Sequence, residues 1–119
     1  MPPLLRWLAA VAAGVAVFEA LDAVAVRGPA VGWLALVSPL IAGAVAAWAM
    51  GGGAGGQLLA SAAVAWARIG TDRAVGILHG VRQPPEMEVA IALIFGLPWM
   101  GLAVGGGALQ MLARRAARR

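Results

Sequence analysis

Cysteine and tyrosine are absent from this sequence of 119 residues, and all 9 of its basic residues are arginine. Without thiols there is no disulfide framework, no thiolate metal site and no cysteine nucleophile. Histidine occurs once, which leaves no Ser/His/Asp or Cys/His set for nucleophilic catalysis and no group of imidazoles for zinc. Neither enzyme chemistry nor a resident cofactor or metal is expected. Charge is scarce too: 12% of the residues are Asp, Glu, Lys or Arg, against about 25% in a soluble domain.

What fills the chain instead is apolar. Hydrophobic residues make up 62% of it, and 17 glycines add to them. Disorder requires the reverse balance, low hydrophobicity with high charge. An integral membrane protein is the class that fits.

The charges divide the sequence into spans. None lies between Gly28 and Ala67, or between Val89 and Ala113. A bilayer core of ~30 Å takes ~20 apolar helical residues, so these stretches supply spans over 30–50 and 88–112. Trp7 to Val26 supplies another, over 5–26, apolar except for Glu19 and Asp22. A fourth, over 57–80, holds Arg68, Asp72 and Arg73. The fold expected is all-α: one transmembrane domain over 1–119, an integral membrane bundle of four antiparallel helices with short loops and a basic tail at 113–119. Arg27-Gly28-Pro29 forms a tight turn with proline suited to a helix start. Gly51 to Gly56 is too rich in glycine to hold helix well, and Gln83-Pro84-Pro85 cannot continue one. Such short links make neighbouring helices antiparallel.

Arginine also sets the orientation. Arg114, Arg115, Arg118 and Arg119 crowd the C-terminal tail as a topology anchor, and Arg6 stands near the other terminus. With four spans both termini share a side, which the excess of arginine makes cytoplasmic, in the cell's inner membrane. The tail also attracts anionic lipid; nucleic acid is not expected as a partner. Trp7 and Trp48 fall near the inner interface and Trp33 near the outer one, while Trp66 and Trp99 fall deeper, as packing residues. A secretory signal is the competing reading of the beginning: Arg6, an apolar run, then Ala23-Val24-Ala25. The sequence keeps this segment after Met1, which favours a first helix.

Ionisable residues at membrane depth are the main candidate site. Charges there are costly and normally face protein or water. At ~1.5 Å per residue, Glu19 and Asp72 both lie roughly 21 Å from the cytoplasmic side. Arg73 is level with them, Asp22 slightly further out and Arg68 nearer the midplane. Glu19 and Asp22 are three apart and Arg68 and Asp72 four apart, so each pair shares a helix face. Two polar stripes, the second extended by Thr71 and His79, should meet inside the bundle. One reading pairs Arg68 with Asp72 and Arg73 with Glu19 as locks between helices. Another makes the surplus acid a proton- or ion-responsive site. His79 reads as an interfacial polar residue; an axial ligand to haem or chlorophyll is the other use of one imidazole.

The glycine run at 51–56 lacks a following Gly-Lys-Ser/Thr and a preceding strand, so it is no phosphate loop. Gly101 and Gly105 form a small-residue face for close helix packing, within the chain or against a partner. Ala10/Gly14 and Gly43/Ala47 repeat the pattern on helices 1 and 2. Pro39 and Pro98, each near mid-span, predict kinks and a freed carbonyl one turn earlier. Aligning the two prolines also matches Leu34 with Leu93 and Ala44-Val45 with Ala103-Val104, a trace of a duplicated hairpin that helices 1 and 3 do not share.

The function expected is that of a non-enzymatic accessory or assembly subunit, or a homo-oligomeric scaffold. Its partners are the lipid bilayer and other membrane subunits or itself. The alternative is a small homodimeric proton- or ion-coupled transporter or channel using Glu19, Asp22 and Asp72. A phage-holin-like pore former comes third.

Overall fold

Proline opens the first and last helices. Pro3 and Pro85 each occupy the first helical turn, where the missing N–H has no intrahelical acceptor to lose and φ is already helical. In the computed structural model, which describes residues 2–119, α1 spans Pro3–Ala25, α2 Leu34–Met50, α3 Ala54–Leu78 and α4 Pro85–Ala117. No strand occurs among the described residues. The chain is all-α.

α1 and α4 begin at Pro3 and Pro85, ahead of the expected 5 and 88, and three further boundaries differ from the sequence expectation. The apolar stretch after Pro29 first makes a single 3-10 turn, Pro29–Val31, and α2 starts only at Leu34. Gly32 follows that turn, and glycine's backbone freedom weakens helix continuation. The glycine run is shorter as a turn than its composition suggests, because Gly55 and Gly56 already lie in α3. Gly51 and Gly52 carry the reversal, with φ of 59° and 73°, a region in which only glycine is unstrained. Gln57 clamps it by donating from Nε2 to the Gly52 carbonyl at 2.7 Å. Finally, α4 is 33 residues long and takes in most of the basic tail. Glu86 and Glu88 in its first turn and Arg114 and Arg115 in its last both favour the helix dipole.

Pro39 and Pro98 lie inside α2 and α4, which continue through them. Pro39 gives no N–H to the carbonyl of Ala35. The Ser38 hydroxyl oxygen lies 3.3 Å from that carbonyl.

Pairs across the helices give their directions. Gly14 meets Ala42 and Ala46 while Asp22 meets Ser38, so α1 and α2 are antiparallel. Trp66 meets Met100 while Arg73 meets Glu88, so α3 and α4 are too. α2 and α3 pack against each other and each along α1 and α4, which flank them. The core is made of small side chains: Ala10, Val11, Ala42, Ala46, Ala60 and Val64 around the one large member, Phe18.

The closest approach is between α2 and α4. A Cβ on Gly43 would overlap the backbone of Ala103, and one on Gly106 would overlap the backbone of Leu40. Gly96 faces the Trp66 ring and Gly107 faces Ser61, where a Cβ would force a side chain rather than backbone to move. Gly101 and Gly105 do not take part: a Cβ on either would meet nothing within 4 Å. Within the chain the close contacts are therefore made by Gly14, Gly43, Gly96, Gly106 and Gly107. Of the two uses that the spacing of Gly101 and Gly105 leaves open, packing inside the chain is not the one formed. Both glycine sets obey a helical repeat, and repeat alone does not say which one turns inward.

Pro3–Ala25 and Pro85–Ala117 are each long and apolar enough to cross a membrane. α2 is apolar but has 17 residues. α3 has 25, diluted by Gln57, Arg68, Asp72 and Arg73.

Candidate functional site

Arg68 is the buried charge around which the ionisable residues gather. It sits on the inward face of α3, one turn beyond the buried Val64 and Ala65. Only 11% of its side chain is exposed. A guanidinium so enclosed needs anionic partners, since removing a charge from water is costly unless it is paired.

Three carboxylates supply them. Asp22 of α1 pairs with Nη1 of Arg68. Glu19, one turn earlier on the same face of α1, brings Oε1 to 3.3 Å from Nε. Asp72, one turn further along α3, brings Oδ2 to 3.4 Å from Nε. Phe18 and Trp99 enclose the guanidinium, with its central carbon 4.2 Å and 4.8 Å from the two ring centres. The rings meet edge to face, 4.9 Å apart. This π-bordered setting attracts a cation electrostatically.

The second helix contributes one atom. Ser38 is fully buried, and its hydroxyl donates to Asp22 Oδ1 at 2.7 Å. Asp22 thus has a partner for each oxygen, Arg68 on one and Ser38 on the other. Glu19 and Asp72 share the single Nε and keep 41% and 48% of their side chains exposed. Neither Ser38 nor the aromatic pair was selected by sequence reasoning. A signal for Ser38 existed, because it is the only polar residue between Leu34 and Met50.

The remaining candidates lie elsewhere. Arg73 does not pair with Glu19; its Nε donates to Glu88 Oε1 of α4 at 2.9 Å, on the side of α3 that faces α4. Being one residue on from Asp72 rotates it ~100° away. Thr71 donates to the Ala67 carbonyl of its own helix. His79 caps the end of α3, with Nδ1 2.8 Å from the Val75 carbonyl. Both are exposed and neither joins the charged group, so the expected extension of the stripe is not formed.

A cleft of about 210 Å³ opens beside Asp72, between the C-terminal half of α3 and the start of α4. Asp72, Arg73 and Glu88 border it, and Ile69, Ile77, Ile91 and Trp99 supply its apolar wall. A second, shallower groove of about 460 Å³ runs between α2 and α4 along Leu40, Val45, Trp48 and Leu109. No set of three or more acidic or histidine side chains among the described residues is grouped to hold a metal ion. The chain matches no protein-family model, no curated protein and no solved structure.

Proposed function

We propose that this chain is a non-enzymatic integral membrane protein of four transmembrane helices, working as an assembly subunit or as a homo-oligomeric scaffold. The observation that carries the reading is an inverted distribution of polarity. The most buried charged side chain is Arg68, while large apolar residues on every helix face outward: Leu4 and Leu8 on α1, Leu36 and Trp48 on α2, Leu59 on α3, Ile94 and Leu109 on α4. Soluble monomers rarely expose contiguous apolar surface beyond a few hundred Å²; lipid or neighbouring protein is the natural cover. The 3-10 turn and Trp33 lengthen the apolar segment of α2 towards a full crossing.

Arginine placement supports cytoplasmic termini in the inner membrane. Arg6 lies 3.7 Å from the Cβ position of Gly52, which puts the start of α1 beside the α2–α3 turn. The basic end of α4 belongs to that side in a four-crossing bundle. The test is a reporter active only outside the cytoplasm, fused after Arg119. It should stay silent, and activity would overturn the four-crossing topology. The assembly role predicts a discrete homo-oligomer or a stoichiometric complex when the protein is extracted in mild detergent and weighed by native mass spectrometry. A lone monomer at all concentrations would overturn it.

The second reading, a proton- or ion-coupled transporter, is favoured by the count at the junction: three carboxylates face one guanidinium. It predicts a flux in liposomes that Glu19→Gln or Asp72→Asn abolishes while leaving the fold intact.

A further inference from the structure

We infer that the cleft between α3 and α4 binds a ring-sized hydrophobic cation, an ammonium group carried on an aromatic or branched apolar body. Size sets the first limit. A cavity of 150 Å³ suffices for benzene, so about 210 Å³ holds one ring with a small head group. The wall sets the second. Ile77, Ile91 and Trp99 provide apolar surface for the body of such a ligand.

Charge sets the sign. Within the cleft, Arg73 is engaged by Glu88, so that pair cancels. Asp72 is left as the polar end. Its Oδ2 lies 3.4 Å from Nε of Arg68, and about half of its side chain is open. Arg68 meanwhile answers to Glu19 and Asp22 as well, so it cannot neutralise all three. The half-exposed Asp72 carboxylate therefore borders an apolar cavity with surplus negative charge behind it. An anion is repelled there, and a neutral body finds no partner for that carboxylate. The bordering acids are not grouped to hold a metal ion, and the apolar wall offers a hydrated inorganic cation nothing. The inference stands apart from the scaffold reading: a monomer would defeat the scaffold and leave the cleft as it is.

Three probes of nearly equal shape test it on the detergent-solubilised full chain: benzyltrimethylammonium, its uncharged isostere neopentylbenzene, and phenylmethanesulfonate. Binding is followed by calorimetry, with empty micelles as the reference. The cation should bind saturably, one per chain, and at least tenfold more tightly than either of the others. Gly76 borders the cleft, and a Cβ there meets only Val81, at 3.7 Å. Gly76→Leu should therefore fold normally, fill the cleft and abolish saturable binding. Asp72→Asn should weaken the cation at least tenfold and leave the neutral isostere unchanged. Arg73→Gln, which removes the rim's positive charge, should tighten the cation severalfold. Equal affinity for all three probes overturns the inference. So does cation binding that survives Gly76→Leu with the fold retained, and this arm holds even if Asp72→Asn fails to fold.

Discussion

Two of the contacts that join the helices of this protein tolerate change in opposite ways. At the α2–α4 seam, Gly43 and Gly106 let backbone touch backbone, so the contact exists because side chains are missing. At the Arg68 junction, one guanidinium is shared among Glu19, Asp22 and Asp72 and bordered by two rings. At Gly43 and Gly106 the seam has no room for a single Cβ, whereas the junction has more anionic partners than its cation requires. Steric contacts fail at the first added methyl; shared charges fail in proportion to what is removed.

The largest effect should come from filling the seam. Gly43→Val or Gly106→Val drives a side chain into the facing backbone, which has no rotamer to yield. The destabilisation should reach at least the upper end of the ~1–3 kcal/mol usual for overpacking, enough to lose the folded bundle in detergent. Gly101→Val and Gly105→Val, on the open face of the same helix, should leave the thermal midpoint of the single chain unchanged. If those two variants alter the oligomeric mass instead, that face is where copies meet. If Gly106→Val unfolds at the wild-type temperature, the seam does not exist as described.

Next comes the junction's cation. Arg68→Gln removes the one positive charge that three carboxylates face, and loss of one member of a buried pair costs about 3–5 kcal/mol in soluble proteins. Adding Asp22→Asn should restore most of this, because Asp22 is the least exposed of the three acids, at 21%. Adding Asp72→Asn should restore less. Equal rescue by both would mean that the junction has no preferred partner. Measured alone, the acids should fall in the same order. Asp22→Asn loses a charged contact to Arg68 and weakens the bond from Ser38, about 1.5–3 kcal/mol together. Asp72→Asn, half exposed, should cost under about 1 kcal/mol. Thermal unfolding of the two variants checks the ranking, and a larger loss from Asp72→Asn would reverse it.

How much of this was legible beforehand follows from the same physics. Spacing places Glu19 with Asp22 and Arg68 with Asp72, since helical periodicity fixes which side chains share a face. Matching heights on α1 and α3 then bring the four to one level. What spacing does not contain is the rotation of each helix about its axis. That rotation turns Gly106 inward and Gly101 outward, and it sends Arg73 to Glu88 rather than to Glu19. Nor does it show the single hydroxyl of α2 meeting Asp22, because that depends on how α2 lies against α1. Element ends are where apolarity misleads. The expected starts at 5 and 88 pass over the prolines that open α1 and α4 at Pro3 and Pro85. The start at 57 passes over Gly55 and Gly56, which accept helix once Gln57 anchors the turn behind them.

The smallest effect belongs to the Arg73–Glu88 pair, and it sharpens the comparison by separating exposed charge from enclosed charge. The 2.9 Å contact joins α3 to α4 with side chains 59% and 30% exposed. Exposed pairs contribute about 0.2–1 kcal/mol, and screening at 1 M salt shortens the Debye length to ~3 Å. A cycle of Arg73→Gln, Glu88→Gln and the double variant should therefore return a coupling within that range at low salt and close to zero at high salt. The same cycle on Arg68 and Asp22 should keep most of its coupling under both conditions, because Phe18 and Trp99 exclude salt and water from the guanidinium. Should the two couplings decline together as salt is added, the Arg68 junction is as wet as the surface pair, and its role as an enclosed lock fails with it.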